Sequence, residues 1–432
     1  MAADCLPADP TMPSLAQLWS APLPNALLDW GAQPGLGALR IERIRYRQGQ
    51  RAVITYAAHE GTDAPTWLTA FVHAGKSARR RFRRLNETSG HVRYLDEFDA
   101  LVQRFPLDQH LPQLQSMVKT LPDSLLESLD PRHAGGYALK PARYRPGFGA
   151  TLRVIADGRE DAFVKLYRPG TVSPYAAHQR RLADALRQLC NIDAPTPRRV
   201  DTGSDALLLD RVRGMALDEL LATRQLTTRE IDAVVAGLQR IHRTVTLPVT
   251  TTRYGDTLLS RVHRTATLLA WALPEMRAVL DRVTRGIAAR QTTIAVPSHC
   301  DLKADHVFLD ADGSLGLVDL DSFALADPLY DPATLVVRLV AMPWRTAEGL
   351  RNARDAAGRL LAMWQSTASG DLPRWGGNLA AAALKVAQYH VQHQTPDWRA
   401  AASQLIANAA HCLAAPDAPI PGINLTTREE LP

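Results

Sequence analysis

Residues 299–309 read His-Cys-Asp-Leu-Lys-Ala-Asp-His-Val-Phe-Leu, and residues 318–321 read Val-Asp-Leu-Asp. An aspartate on a tight loop, here Asp301, can orient a substrate hydroxyl and accept its proton. His306, five positions on, faces a metal from the same loop. Asp319, eighteen positions after Asp301, is spaced to hold Mg²⁺ on nucleotide phosphates, and Asp321 completes an Asp-x-Asp pair beside it. Asp312-Gly313 makes the turn between the apolar runs Val307–Leu309 and Leu315–Val318. Loop, hairpin and second carboxylate in that order are the parts of a phosphoryl-transfer site. An ordinary acidic hairpin is the alternative.

Such a site needs a cation and a backbone cradle upstream. Lys165 ends the apolar strand Asp161–Leu166, after a turn at Asp157-Gly158. A lysine ending a buried strand is costly unless its ammonium meets an anion, and a nucleotide's α/β-phosphates would be that anion. Pro146-Gly147-Phe148-Gly149 lies between two strand patterns, where Gly147 and Gly149 could turn backbone N–H groups toward phosphate; a plain hairpin turn is the equal alternative. Leu207–Gly214 has the pattern of a hinge whose backbone, at Asp210 and Val212, could hydrogen-bond an adenine.

The elements that must position these residues divide the chain. Strand patterns run from Ala38 to Val72 and from Tyr137 to Tyr167, a helix is expected over 175–189, and Ala206–Val212 is a strand. After Gly214 the chain turns helical. Thr227-Thr-Arg-Glu230 is a capping box opening a helix with apolar Ile231, Val234, Val235, Leu238 and Ile241, and further helices are expected at 256–273, 275–289, 346–366, 377–392 and 398–414. Strand-rich first and helix-rich second is a two-lobed α+β arrangement. Arg45-Tyr46-Arg47-Gln-Gly matches Arg143-Tyr144-Arg145-Pro-Gly, and Ala70-Phe-Val-His73 matches Ala162-Phe-Val-Lys165. The expected organisation is therefore 1–130, a degenerate repeat of the β-rich lobe with His73 in place of Lys165; 131–214, the β-rich lobe; 215–415, the helical lobe; and 416–432, a loose tail.

Composition sets the class. A 432-residue chain, 46% apolar and 22% charged, can bury a large core. A net charge of +6 suits an anionic ligand and is too mild to imply nucleic acid. The run Lys76–Arg84 reads as a solvated helix face, since Phe82 is its one aromatic residue. Cys5, Cys190, Cys300 and Cys412 show neither zinc nor disulfide spacing, which suggests reduced thiols. Neither a signal peptide nor an apolar run of membrane-spanning length stands out, so a cytoplasmic protein is expected. Oligomeric state is not legible.

Lys165, the stretch ending at Gly214, Leu238-Gln-Arg-Ile-His242, His299-x-Asp301, Val318-Asp319 and Asp327-Pro-x-x-Asp331 follow one another over residues 137–340. In this order they resemble the aminoglycoside phosphotransferase and choline kinase-like family of the protein kinase-like fold. The resemblance implies an enzyme that binds Mg·ATP between two lobes and phosphorylates a hydroxyl on a small molecule. It implies Asp301 as base, Asp319 as principal Mg²⁺ ligand, Lys165 as phosphate clamp, and His299 and Asp331 as braces. Three positions depart from the family. His306 stands where an asparagine is usual; as a metal ligand it must be neutral, so acidification through an ordinary pKa of about 6.5 would remove it, and its nitrogen favours Mn²⁺. Gln179 stands where a glutamate would pair with Lys165. Lys303, two after Asp301, resembles the phosphate-touching lysine of Ser/Thr protein kinases, yet the short stretch from Asp319 to Asp331 fits a small-molecule acceptor better than a peptide. A pseudokinase, binding nucleotide or acting as a scaffold without turnover, is the alternative.

Overall fold

The computed structural model describes residues 6–20, 23, 27, 39–58, 66–75, 77–85, 92–129, 136–247, 254–367 and 371–416. The expected tail beyond residue 416, Cys5 and Lys76 lie outside them. The chain forms two compact units. One holds Met1–Arg180, Thr196–Arg211 and Gln392–Pro396; the other holds Arg181–Pro195, Val212–Val391 and Asp397–Pro432.

The first unit is built on two five-stranded antiparallel sheets. β1 (Arg40–Arg47), β2 (Arg51–Ala58), β3 (Thr66–His73), β4 (Val92–Leu95) and β5 (Ala100–Arg104) take the order β1-β2-β3-β5-β4. β6 (Tyr137–Arg145), β7 (Gly149–Ala156) and β8 (Arg159–Leu166) are joined by β10 (Pro197–Asp201) and β11 (Ala206–Asp210) in the order β10-β11-β8-β7-β6, while β9 (Ile192–Asp193) belongs to the second unit. Alternation decides which face is buried. Ala150, Leu152 and Val154 of β7 and Ala162, Val164 and Leu166 of β8 point into one core, which also takes Ala57 and Trp67 from the first sheet and Leu111, Leu114 and Met117 from the segment after it. Residues expected as separate modules, 1–130 and 131–214, thus share a core. On the opposite face Phe163, Leu207 and Leu209 pack beneath Val172 and Ala176 of the helix Val172–Cys190.

The two hairpins repeat each other's register. Tyr46 stands opposite Ala52, and Tyr144 opposite Ala150. Carried into the next strand, Val53 faces Phe71 and its counterpart Thr151 faces Lys165. Phe71, not His73, therefore matches Lys165 in the ladder, which corrects the pairing read from local sequence. A slip of two residues keeps every side chain on the same face, so an apolar pattern cannot detect it.

The second unit is mostly helical: Leu217–Thr223, Thr228–Thr244, Tyr254–Ala272, Arg277–Ala288, Tyr330–Ala341, Ala347–Thr367, Leu372–His393 and Trp398–Ala414. Thr227 and Glu230 close the capping box reciprocally, and Ile231, Val234, Val235, Leu238 and Ile241 are all buried. Two small ladders hold the segments 299–306 and 318–323. β12 (Met215–Ala216), β14 (Val307–Leu309), β15 (Leu315–Leu317) and β9 pair in the order β12-β14-β15-β9, and β13 (Val296–Ser298) pairs β16 (Ala324–Ala326). Residues 299–306 run from the end of β13 to the start of β14, and 318–323 run from the end of β15 to β16, so both loops are clamped at both ends. Among the described residues no helix is long and apolar enough to cross a membrane.

Gly214 has φ +88°, and a Cβ there would lie 2.5 Å from the Leu309 carbonyl oxygen. Strain and collision fall on β14, the strand that follows the 299–306 loop. Gly214→Ala should cost roughly 1–3 kcal/mol, seen as a lowered midpoint in denaturant unfolding; an unchanged midpoint would mean that the β12–β14 approach relaxes freely.

Candidate active site

The loop at 299–301 is shaped by a buried carboxylate. Asp331, in the first turn of the helix Tyr330–Ala341, accepts the N–H of His299 at 2.6 Å and of Cys300 at 2.9 Å, one on each oxygen. Burial pushes its carboxyl above the usual carboxylate range, against the pull of the two amides it accepts. Cys300 is held at φ +63°, a conformation few non-glycine residues adopt without support. The His299 ring is spent on the backbone as well. Nε2 donates to Val318 O at 2.8 Å, leaving Nδ1 to accept from the Asp301 N–H at 3.3 Å. With both nitrogens engaged, His299 ties the two loops together and has no lone pair for proton transfer.

Asp301 is met by two cations that the sequence reading did not find. Lys385 Nζ at 2.8 Å and Arg338 Nη2 at 2.9 Å both donate to its Oδ1. Burial alone would raise the Asp301 carboxyl, but Lys385 and Arg338 hold it far below the usual carboxylate range. The signal for both was present. Arg338 lies in Leu335-Val-Val-Arg-Leu-Val340, and Lys385 in Ala380-Ala-Ala-Ala-Leu-Lys-Val386. A single cation inside an otherwise apolar helical run needs a buried anion.

The metal-competent group follows. Asp301, His306 and Asp319 bring one ligand atom each to within 4.8 Å of one another. His306 is buried, and its Nδ1 lies 3.1 Å from the Asp301 carbonyl oxygen, an acceptor that fixes the tautomer with Nδ1–H. Nε2 then turns its lone pair to Asp319 Oδ2, 3.5 Å away. Burial, with Lys303 nearby, lowers the His306 pKa to about 3, so the ring is neutral. This corrects the expectation that acidification through 6.5 would protonate it. Asp319 sits at φ +60°. Asp321, two residues on, is exposed and does not join the group. Lys303 pairs with Asp305 at 2.5 Å, so its ammonium is held within its own loop.

In the first unit, Lys165 lies between Thr151 of β7 and Leu207 of β11, on the sheet face shared with Phe163 beneath the helix Val172–Cys190. Gln179 is buried on that helix, three and seven residues beyond Ala176 and Val172 and thus on the same stripe. The Gly147 N–H is committed to Asp108 at 2.6 Å, which removes it from the expected phosphate cradle. Gly149 has a different reason to be glycine: a Cβ there would lie 2.7 Å from the Leu166 carbonyl oxygen. The Asp210 N–H goes to Thr196 O at 3.0 Å and its side chain to Arg198, so this residue offers adenine no free amide. Val212 is buried. The thiols of Cys190, Cys300 and Cys412 are free and buried.

A sequence model of the phosphotransferase enzyme family matches residues 142–354. That stretch spans Lys165, the Asp301 loop and Asp319. That stretch of the chain belongs to this family. Comparison with curated protein sequences finds no match. Similar solved structures include Plasmodium vivax ethanolamine kinase (12% identity over 71% of this chain and 96% of that one, TM-score 0.42). A thermostable mutant of an aminoglycoside phosphotransferase (14%, 67% and 98%, TM-score 0.49) and a choline/ethanolamine kinase family protein from Mesorhizobium loti (15%, 70% and 98%, TM-score 0.41) are others. The strand-rich then helical α+β order is the protein kinase-like one, and the enzyme class is that of a small-molecule phosphotransferase.

Asp331→Asn would set an NH₂ against a backbone N–H. It should cost roughly 1–3 kcal/mol for the orphaned donor and lower turnover with it, measured by unfolding and steady-state rates; wild-type values for both would show that the loop holds its shape without the second acceptor. For pH, the His306 value is depressed in the folded state from an ordinary 6.5 to about 3. Unfolded chains bind the proton first, so stability falls as pH drops from 6.5 toward 3. Turnover should show no acid limb near 6.5 from this group; a limb there that His306→Asn abolishes would contradict the neutral ring.

Proposed function

We propose that this enzyme transfers the γ-phosphoryl group of ATP, with Mg²⁺, to a hydroxyl of an aminoglycoside-, choline- or sugar-like small molecule. The observation that carries the reading is the His306–Asp319 pair: a bare imidazole nitrogen and a carboxylate oxygen face each other at 3.5 Å. Two acceptors so placed are mutually repulsive unless a cation lies between them, and neutral imidazole with carboxylate is a donor set that takes a divalent ion. Asp319 and His306 would hold the metal, with Asp301 beside them, and Mn²⁺ suits the nitrogen ligand as well as Mg²⁺. When bound, the ion neutralises phosphate charge.

The chain's own residues supply the rest. Lys165 takes the nucleotide's phosphates. Asp301 orients the acceptor hydroxyl and receives its proton late, since a carboxylate this acidic is a weak base and a loose phosphoryl transition state asks little of one. Lys385 and Arg338 fix the Asp301 side chain through Oδ1. His299 and Asp331 brace the loop, and Lys303 stays near the transferred group through Asp305. The β-rich residues 1–130 are read as a degenerate copy of 131–214, with the helical 215–415 carrying the catalytic loop.

A pseudokinase is the second reading, and the two cations capping Asp301 Oδ1 favour it. ATPase activity above background separates the two. Asp301→Asn should lower kcat by roughly 10²-fold or more while ATP still binds; unaltered turnover removes Asp301 from the mechanism. Asp319→Ala should abolish Mg²⁺-dependent ATP binding by calorimetry, and wild-type affinity in that variant would refute the metal assignment.

A further inference from the structure

Two cations meet on one oxygen of Asp301. Arg338, from the helix Tyr330–Ala341, and Lys385, from the helix Leu372–His393, both donate to Oδ1, at 2.9 and 2.8 Å. The two charges therefore stand within about 6 Å of each other, and one carboxylate balances only one of them. Asp301 is the one hydrogen-bond partner of either side chain among the described residues, so most of their N–H groups remain for a ligand. The side chains of Lys385, Asp301 and Arg338 are 29%, 28% and 13% exposed, so the three line an opening rather than a sealed core.

The acids of the neighbouring segments are engaged elsewhere. Asp305 holds Lys303 at 2.5 Å, Asp319 faces His306, and Asp331 accepts two backbone amides. Burial and Asp331 push the Cys300 thiol up, while Lys385 and a third cation, Arg261 of the helix Tyr254–Ala272, are near enough to pull against them. Positive charge is thus in surplus where an acceptor must stand. A hydroxyl oriented by Asp301 lies about 3 Å from a carboxylate oxygen, so a group one or two bonds further along the acceptor comes within reach of Lys385 and Arg338. An ammonium placed there is repelled. A carboxylate or phosphate is bound, through the charge-assisted hydrogen bonds that lysine and arginine make to oxyanions.

We propose that Lys385 and Arg338 determine acceptor specificity, and that the acceptor is an anionic hydroxy compound: a sugar acid, a hydroxy acid or a sugar phosphate. Its oxyanion sits on these two side chains while its hydroxyl meets Asp301. The transfer is the one given above: the hydroxyl oxygen bonds the γ-phosphorus as the bond to ADP breaks, and its proton passes to Asp301. The inference rests on that reading and narrows its acceptor classes to the sugar-like one, with a negative charge close to the reacting hydroxyl.

The test offers the full-length chain one ring in different charge states: glucuronate, glucose 6-phosphate, glucose and glucosamine. ADP formation gives kcat/KM for each, and calorimetry without nucleotide gives affinity. Glucuronate or glucose 6-phosphate should exceed glucose by roughly ten-fold or more, and glucosamine by more still. Which of the two leads separates a carboxylate from a phosphate ligand. Lys385→Met should cut kcat/KM for the anionic sugar roughly ten-fold, mainly through KM, and bring it near that of glucose. Lys385→Arg should keep the preference, and Arg338→Gln carries the same comparison if Lys385→Met does not fold. Residues that only seat Asp301 would lower the anionic and neutral sugars by one common factor, and that result overturns the proposal. A wild-type preference for glucose or glucosamine overturns it too. A protein that forms no ADP with any acceptor sinks the phosphotransferase reading instead; calorimetry then decides the anion site alone, and equal affinity for glucuronate, glucose 6-phosphate and glucose ends it.

Discussion

One buried carboxylate sets the geometry of the loop at residues 299–301. Asp331 draws in the amides of His299 and Cys300, and the loop can bend through a positive φ at Cys300 because those two bonds hold it there. The bend turns the Asp301 side chain toward Arg338 and Lys385 and lets the His299 ring reach Val318 on the neighbouring segment. Asp331 itself is placed by the first turn of an apolar helix, most of which is buried. The strain at Cys300 is therefore met by core packing some thirty residues away in sequence.

Electrostatics around the loop separate the carboxylates by environment. Asp301 is held ionised by two cations, and Asp331 is held by amides. Asp319 faces a histidine whose ring burial keeps neutral. The first two arrangements supply donors to their carboxylate. The third leaves a lone pair and a carboxylate turned toward one point, which is why the metal assignment falls there. Asp321 is only two residues away but is exposed, and it belongs to none of these arrangements.

The β-rich unit shows how similar strands can serve different ends. Both hairpins carry an Arg-Tyr-Arg strand and the same pairing of tyrosine with alanine. In one, the register puts Lys165 beside Thr151; in the other it puts Phe71 beside Val53. The first sheet contributes Trp67 to the common core and Arg45 to the glycine turn. It is thus packed into the first unit's core and bonded to the hairpin that follows it.

Much was legible in the residues alone. Periodicity located β1–β3, β6–β8 and most of the long helices because apolar faces must be buried, though not β4, β5 or the helix Leu217–Thr223, and the capping box marked its helix to the residue because unpaired amides need an acceptor. The order of Lys165, Asp301 and Asp319 carried the expectation of a phosphoryl-transfer site because that chemistry constrains residue type and spacing along short loops. What folding decided are the contacts between distant segments. Lys385 and Arg338 meet Asp301 from helices 84 and 37 residues away, and Asp108 reaches Gly147 across 39. The ladder match of Phe71 with Lys165 was hidden because a two-residue slip leaves the apolar pattern intact. The neutrality of His306 followed from burial, and burial is a property of the packed interior rather than of the residue or its neighbours in the chain.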